Sequence, residues 1–151
     1  MTPTRLLSLL SIAIVGLASV TSAQPAARTV EIQVGDNMRF NPATIDAKPG
    51  ERLHIVLKST GALPKLSMAH NLVLLRKGAN AKSVVDKCAN AGASDFIAAE
   101  VKDQILAATG LVGPGETSEA TFTAPASGDY DFVCTFPGHF NLGMRGKLTV
   151  K

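Results

Sequence analysis

Histidine and cysteine are scarce in this chain: His54, His70 and His139, with Cys88 and Cys134, are all that 151 residues provide. Two cysteines exclude a disulfide framework and leave at most one bridge. The basic residues exceed the acidic ones by only three and form no cluster, so the electrostatic footprint of a nucleic-acid site is missing. A membrane-spanning run is missing too. The apolar stretch from Leu6 to about Val20 is broken by Ser8, Ser11 and Gly16 and falls short of the roughly 20 residues that cross a bilayer.

That stretch fits another role. Arg5 precedes it and Thr21-Ser22-Ala23 follows it, with small residues at the first and third positions before Gln24, the pattern of a cleavable export signal. Residues 1–23 are therefore expected to be a signal peptide and 24–151 the mature domain, periplasmic or secreted, with no membrane span. No cysteine follows the cleavage point, so no lipid anchor is indicated. Loss of Arg5 leaves a net charge of about +2. A hydrophobic content of 46% is enough for one ordinary core.

From Arg28 onward the pattern is one of short strands. Val30, Ile32 and Val34 alternate with Thr29, Glu31 and Gln33. Gly35-Asp36-Asn37 breaks the run, Met38 to Pro42 reads as extended again, and Thr44 to Ala47 leads into the turn Lys48-Pro49-Gly50. Arg52 to Ser59 is a further strand with His54 inside it. After a loop at Gly61 to Lys65, the segment from Leu66 to Leu75 places His70 at a polar break ahead of the buried run Leu72 to Leu75. Between about 78 and 103 the period becomes helical: Asn80 can cap a helix that carries Val84, Val85 and Cys88, with Gly92 placed to end it. Alternation returns at Ile105 to Leu111, and strands follow over Thr117 to Thr123, Asp129 to Cys134 and Gly146 to Lys151. Seven or eight strands with one helical insert predict an all-β Greek-key sandwich.

The chemistry is concentrated between Cys134 and Met144, in Cys-Thr-Phe-Pro-Gly-His-Phe-Asn-Leu-Gly-Met. A thiolate, an imidazole and a thioether in one short loop are the donors that suit copper, and one more imidazole would complete a trigonal plane with a weak axial Met. His70, at a strand end, is favoured over the mid-strand His54. Tyr130, Phe132 and Cys134 share a parity that directs the sulfur inward. A Cys134–Cys88 disulfide would destroy such a site, so Cys88 is expected to be a lone buried thiol. Zinc would also accept two imidazoles and a thiolate.

Cys134-Thr135-Phe136-Pro137-Gly138-His139 and Met68-Ala69-His70-Asn71 resemble the ligand segments of the azurins and auracyanins, the small blue copper proteins of the cupredoxin family. The resemblance implies one copper per chain, with His70, Cys134 and His139 as equatorial ligands and Met144 as the long axial one. Met144 follows Cys134 by ten positions, the auracyanin interval, where azurin has nine; the additional residue falls near Asn141 to Gly143. Asn71 would tie the two ligand segments together, and the insert at about 78–103 would correspond to azurin's helical flap. Two departures stand out: Ala69 replaces the azurin Gly whose carbonyl approaches the metal, and azurin's disulfide is missing.

The resemblance implies electron transport between redox partner proteins, such as cytochromes or a reductase or oxidase, docking near His139 through an apolar patch drawn from Leu63, Pro64, Met68, Phe136 and Leu142. Storage or delivery of copper is the alternative. An enzyme is not expected: a catalytic second metal would need more imidazoles than His54 alone, and a Cys–His hydrolase would want an oriented base and an oxyanion site.

Overall fold

The computed structural model describes residues 26–151. The expected signal peptide, 1–23, lies outside the described residues. Eight strands form two sheets, in agreement with the expected all-β sandwich. The smaller sheet contains β1 (Arg28–Val34), β3 (Arg52–Ser59) and β6 (Thr117–Thr123) in the order β1-β3-β6. The larger contains β2 (Thr44–Ala47), β4 (Val73–Leu75), β5 (Ile105–Ala108), β7 (Gly128–Val133) and β8 (Arg145–Val150) in the order β2-β8-β7-β4-β5. The β1–β3 and β2–β8 pairs are parallel and the other pairs antiparallel.

Period-two alternation sets which residues meet between the sheets. In β3, Leu53, Ile55, Leu57 and Ser59 are buried while the intervening side chains stay at least partly exposed. Ile32 and Val34 of β1, Tyr130 and Phe132 of β7, and Leu148 and Val150 of β8 join them in the main core. Gly146 in β8 gives way to an aromatic ring, because a Cβ there would overlap Phe132.

The back of the larger sheet is covered by the helical insert, which breaks the simple inside–outside pattern. Helix α2 (Ala81–Cys88), together with Val101, packs Val84, Val85 and Cys88 against Val73, Leu75 and Val133 as a second core. β4 is consequently buried on both faces, which explains its unbroken Val-Leu-Leu run. The Asn80 side chain accepts from Ser83 N at 3.0 Å and starts the helix as the sequence indicated. Its end differs: α2 stops at Cys88, and Gly92 opens a separate 3₁₀ turn, Gly92–Ser94. A second, Ala99–Gln104, leads into β5.

Two other segments depart from the sequence reading. Met38 to Asn41 holds no strand; Met38 lies in the left-handed region (φ 51°), and only Asn41 bridges back to Gln33. The loop after β3 contains one helical turn, α1 (Lys65–Met68), just ahead of the Ala69-His70 segment. Pro64 sets its first turn, and Ala69 ends it by returning to an extended conformation.

Candidate metal centre

His70 and Cys134 come from the same end of two neighbouring antiparallel strands, His70 just before β4 and Cys134 just after β7. His70 leaves α1 extended and pairs with Val112 through two backbone hydrogen bonds, of 3.0 and 2.8 Å, before the chain enters β4. Cys134 is the first residue past β7, which pairs with β4 through Val73–Val133. The continued alternation of Tyr130 and Phe132 buries the sulfur, as the sequence parity indicated. From there the chain makes a compact turn. His139 N donates to the Phe136 carbonyl, Met144 N to the His139 carbonyl and Cys134 N to the Met144 carbonyl, so the loop closes on its own start. Gly138, at φ 85°, provides the left-handed residue that brings the chain round after Pro137.

The loop geometry gathers His70, Cys134 and His139, all buried, with one donor atom from each inside a circle of mutual distances no greater than 4.8 Å. Cys134 Sγ and His139 Nδ1 stand 3.7 Å apart, and the two imidazole centroids 4.9 Å apart. Donors about 2.1 Å from a shared ion in a trigonal plane would lie about 3.6 Å from each other, so this spacing suits a metal. The His70 Nδ1 atom sharpens the fit: it is buried with no hydrogen-bond partner, a costly arrangement unless the lone pair meets a cation. Met144 is fully buried in the same core cluster as Cys134. Both cysteines are free, so the bridge that would have removed the sulfur is not made.

Burial keeps both imidazoles in the neutral form that binds a metal, and keeps the thiol protonated until a metal displaces its proton. The His70 imidazole is pushed down to about 4, first by desolvation and then by repulsion from His139. His139 is lowered by desolvation as well. Burial drives the Cys134 thiol up to about 11, opposed by backbone hydrogen bonds to its sulfur from Asn71 and Phe136. Those two amides come from the two ligand segments, as expected for a sulfur held from both sides.

Asn71 bolts the segments together. Its Oδ1 accepts from Thr135 N at 2.9 Å, and its Nδ2 donates to Thr135 Oγ1 at 2.8 Å and to the Asp95 carbonyl at 2.9 Å. The resemblance to the azurins implies this tie; the structure identifies Thr135 as its receiver and adds a third bond to the insert. The signal for Thr135 was available: a hydroxyl next to an inward-facing cysteine must find a partner. His54 is elsewhere, as expected. It sits on the outer side of the smaller sheet, with Nε2 3.0 Å from Glu119 Oε2. Cys88 is buried in α2, where its sulfur accepts from Ala98 N at 3.5 Å.

Of the residues expected to form a docking patch, Leu63 is 47% and Leu142 55% exposed, but Phe136 is only 9% exposed. Its ring meets His139 at a tilt, 4.8 Å between centroids, and Phe96 edge-on at 5.1 Å, and His139 is just 3% exposed. Leu66, absent from the expected set, is 96% exposed on α1. It borders an apolar groove of about 410 Å³ lined also by Ala69, Phe96, Leu111 and Phe136.

A buried His, Cys, His cluster at the end of a two-sheet β-sandwich defines a blue copper protein of the cupredoxin class. The chain belongs to the copper-binding proteins of the plastocyanin/azurin family, whose sequence profile matches residues 26–151. Among curated proteins it is 36% identical to auracyanin-A of Chloroflexus aurantiacus over 125 residues, 81% of this chain and 74% of that one. It is 34% identical to the azurin of Alcaligenes faecalis over 123 residues, 79% of this chain and 94% of that one. It is also 39% identical over 122 residues to outer membrane protein H.8 of Neisseria gonorrhoeae; the match takes in 79% of this chain but 65% of that protein's length. The solved structure of auracyanin A from C. aurantiacus superposes with a TM-score of 0.74 at 34% identity, over 83% of this chain and all of that one. His70, Cys134 and His139 are arranged to bind one copper ion.

Proposed function

We propose that this protein is a periplasmic carrier of single electrons, with His70, Cys134 and His139 as equatorial ligands and Met144 as a weak axial one. Bound copper would supply the one-electron couple. The observation that carries the reading is the preassembled donor set, in which the buried His70 Nδ1 has no other partner. Two imidazoles, a thiolate and a thioether suit both oxidation states of the metal, so the ligands need to move little on electron transfer. Asn71, Thr135 and the closed 134–144 turn resist such movement, and the amides of Asn71 and Phe136 stabilise charge on the sulfur. His139 packs against Phe136, which lines a groove with the exposed Leu66, and this is the side from which a redox protein would approach.

An enzyme is disfavoured because His54, the remaining imidazole, is paired with Glu119 on the outer sheet face. Storage or delivery would favour an open site that exchanges its metal, whereas all three donors here are buried. Arg5 and the apolar run after it support export with cleavage after Ala23, leaving 24–151 as the mature domain with its flap at about 78–103; the outer-membrane name of one relative supports an envelope location. Among the described residues no helix is long and apolar enough to cross a membrane.

The test is retention under redox cycling. The loaded protein should pass repeatedly between coloured and bleached forms with oxidant and reductant and keep its copper against a weak chelator. Loss of the metal to that chelator within the folded state would favour delivery instead.

A further inference from the structure

We propose that Arg39 is a positioning residue for the ligand loop: its guanidinium staples the Leu142 carbonyl to the β1–β2 connection and so fixes the turn that presents Met144. The proposal rests on the reading of Met144 as the axial ligand.

The loop's own hydrogen bonds leave a gap at Leu142. Within the turn, backbone amides occupy the carbonyls of Phe136, Gly138, His139, Phe140 and Gly143. The Leu142 carbonyl takes its hydrogen bond from outside, from Arg39 Nη1 at 2.6 Å. The same nitrogen donates to the Met38 carbonyl at 2.9 Å, so one charged group joins two loops 103 residues apart in sequence. Gly143 lies against the guanidinium as well, where a Cβ would stand 3.5 Å from Cζ and both terminal nitrogens.

Arg39 is itself held in place. Gln33 and Asn41 exchange two backbone bonds of 2.8 and 2.9 Å, Met38 N donates to the Gly35 carbonyl at 2.9 Å, and Arg39 N donates to Asn37 Oδ1 at 3.1 Å. Met38, at φ 51°, adopts a conformation rare for a side-chain-bearing residue, and such strain persists where surrounding contacts enforce it. A planar, permanently charged donor suits this role better than a flexible ammonium. The clamp also falls on the stretch, Asn141 to Gly143, that carries the additional residue of the ten-position Cys-to-Met interval.

Arg39→Met and Arg39→Lys in the whole protein test this. In the metal-free Arg39→Met protein, hydrogen exchange at the Leu142, Gly143 and Met144 amides should accelerate about tenfold or more, with Arg39→Lys between it and wild type. In the copper-loaded protein, Arg39→Met should change the relative intensities of the thiolate-to-copper bands and shift the reduction potential, and Arg39→Lys should recover part of both. If Arg39→Met does not fold, Arg39→Lys against wild type reads the same three quantities. A folded Arg39→Met with unchanged loop exchange, spectrum and potential overturns the proposal, as does a lower melting temperature alone. Loosened amides beside an unchanged spectrum and potential overturn it too, since the clamp would then not reach Met144. Failure of the wild-type protein to form a thiolate–copper band would instead strike the metal reading, which the metal-free exchange arm does not use.

Discussion

Asn71 and Thr135, 64 residues apart, share two buried hydrogen bonds, Oδ1 from the Thr135 amide and Nδ2 to its hydroxyl. Each ligand segment is thereby fixed by the residue next to its ligand, His70 on one side and Cys134 on the other. Asn71→Ala would leave the Thr135 amide and hydroxyl buried and unpaired, at a cost of about 2–4 kcal/mol. Equilibrium urea unfolding of the metal-free protein should show that loss, and the copper-loaded variant should have a shifted potential. An unchanged midpoint of unfolding would show that the bridge contributes nothing.

The titration of the site predicts a stability plateau in the metal-free protein. His70, held at about 4, and His139, also lowered, bind fewer protons folded than unfolded, where the ordinary value is 6.5. Their contribution is therefore complete above 6.5 and is lost as the pH falls toward 4. Cys134 has the opposite sign: raised from 9.0 to about 11, it contributes fully below 9 and loses that contribution as the pH rises through 11. Unfolding free energy measured across pH should be flat between these limits and fall on both sides. At neutral pH the thiol proton must leave when the metal enters, so copper uptake should release about one proton, measurable in weakly buffered solution.

Gly146→Ala tests the packing of β8 against β7. The added methyl would overlap the Phe132 ring and approach the Ala43 carbonyl oxygen to 2.5 Å, so an overpacking cost of at least about 2 kcal/mol is expected in urea unfolding. A loss below about 0.5 kcal/mol would mean that Phe132 can rotate away.

Leu66→Lys probes the exposed side of the site. At 96% exposure Leu66 contributes little to the core, so melting temperature and visible spectrum should stay as in wild type. Electron exchange with a redox protein that uses this face should slow severalfold at low ionic strength. An altered spectrum would place Leu66 in contact with the metal surroundings instead.

Much of this architecture was legible in the chain. Alternation in Arg52 to Ser59 marks β3 without error, and Asn80 with Val84, Val85 and Cys88 marks α2. His70 could be chosen over His54 because one stands at a polar break and the other within a strand. Features set by tertiary context were less visible. Helix α1 spans four residues, too few for any periodicity, and α2 ends at Cys88, before the chain reaches Gly92. Met38 to Pro42 is expected to be extended, yet Met38 is left-handed and Arg39 reaches toward Leu142 in the ligand loop. Nothing local announces such a contact. The burial of Phe136 was hidden for the same reason, since Phe96 comes from the insert to cover it.

The most direct measurement is a Cu(II) titration of the purified protein alongside Cys134→Ser. The wild type should develop an intense blue or green thiolate-to-copper band that saturates at one equivalent and bleaches with reductant, while Cys134→Ser, folded to the same far-UV spectrum, should remain without it. A folded wild-type protein that stays colourless, or a Cys134→Ser variant that colours equally, would contradict a copper centre built on His70, Cys134 and His139.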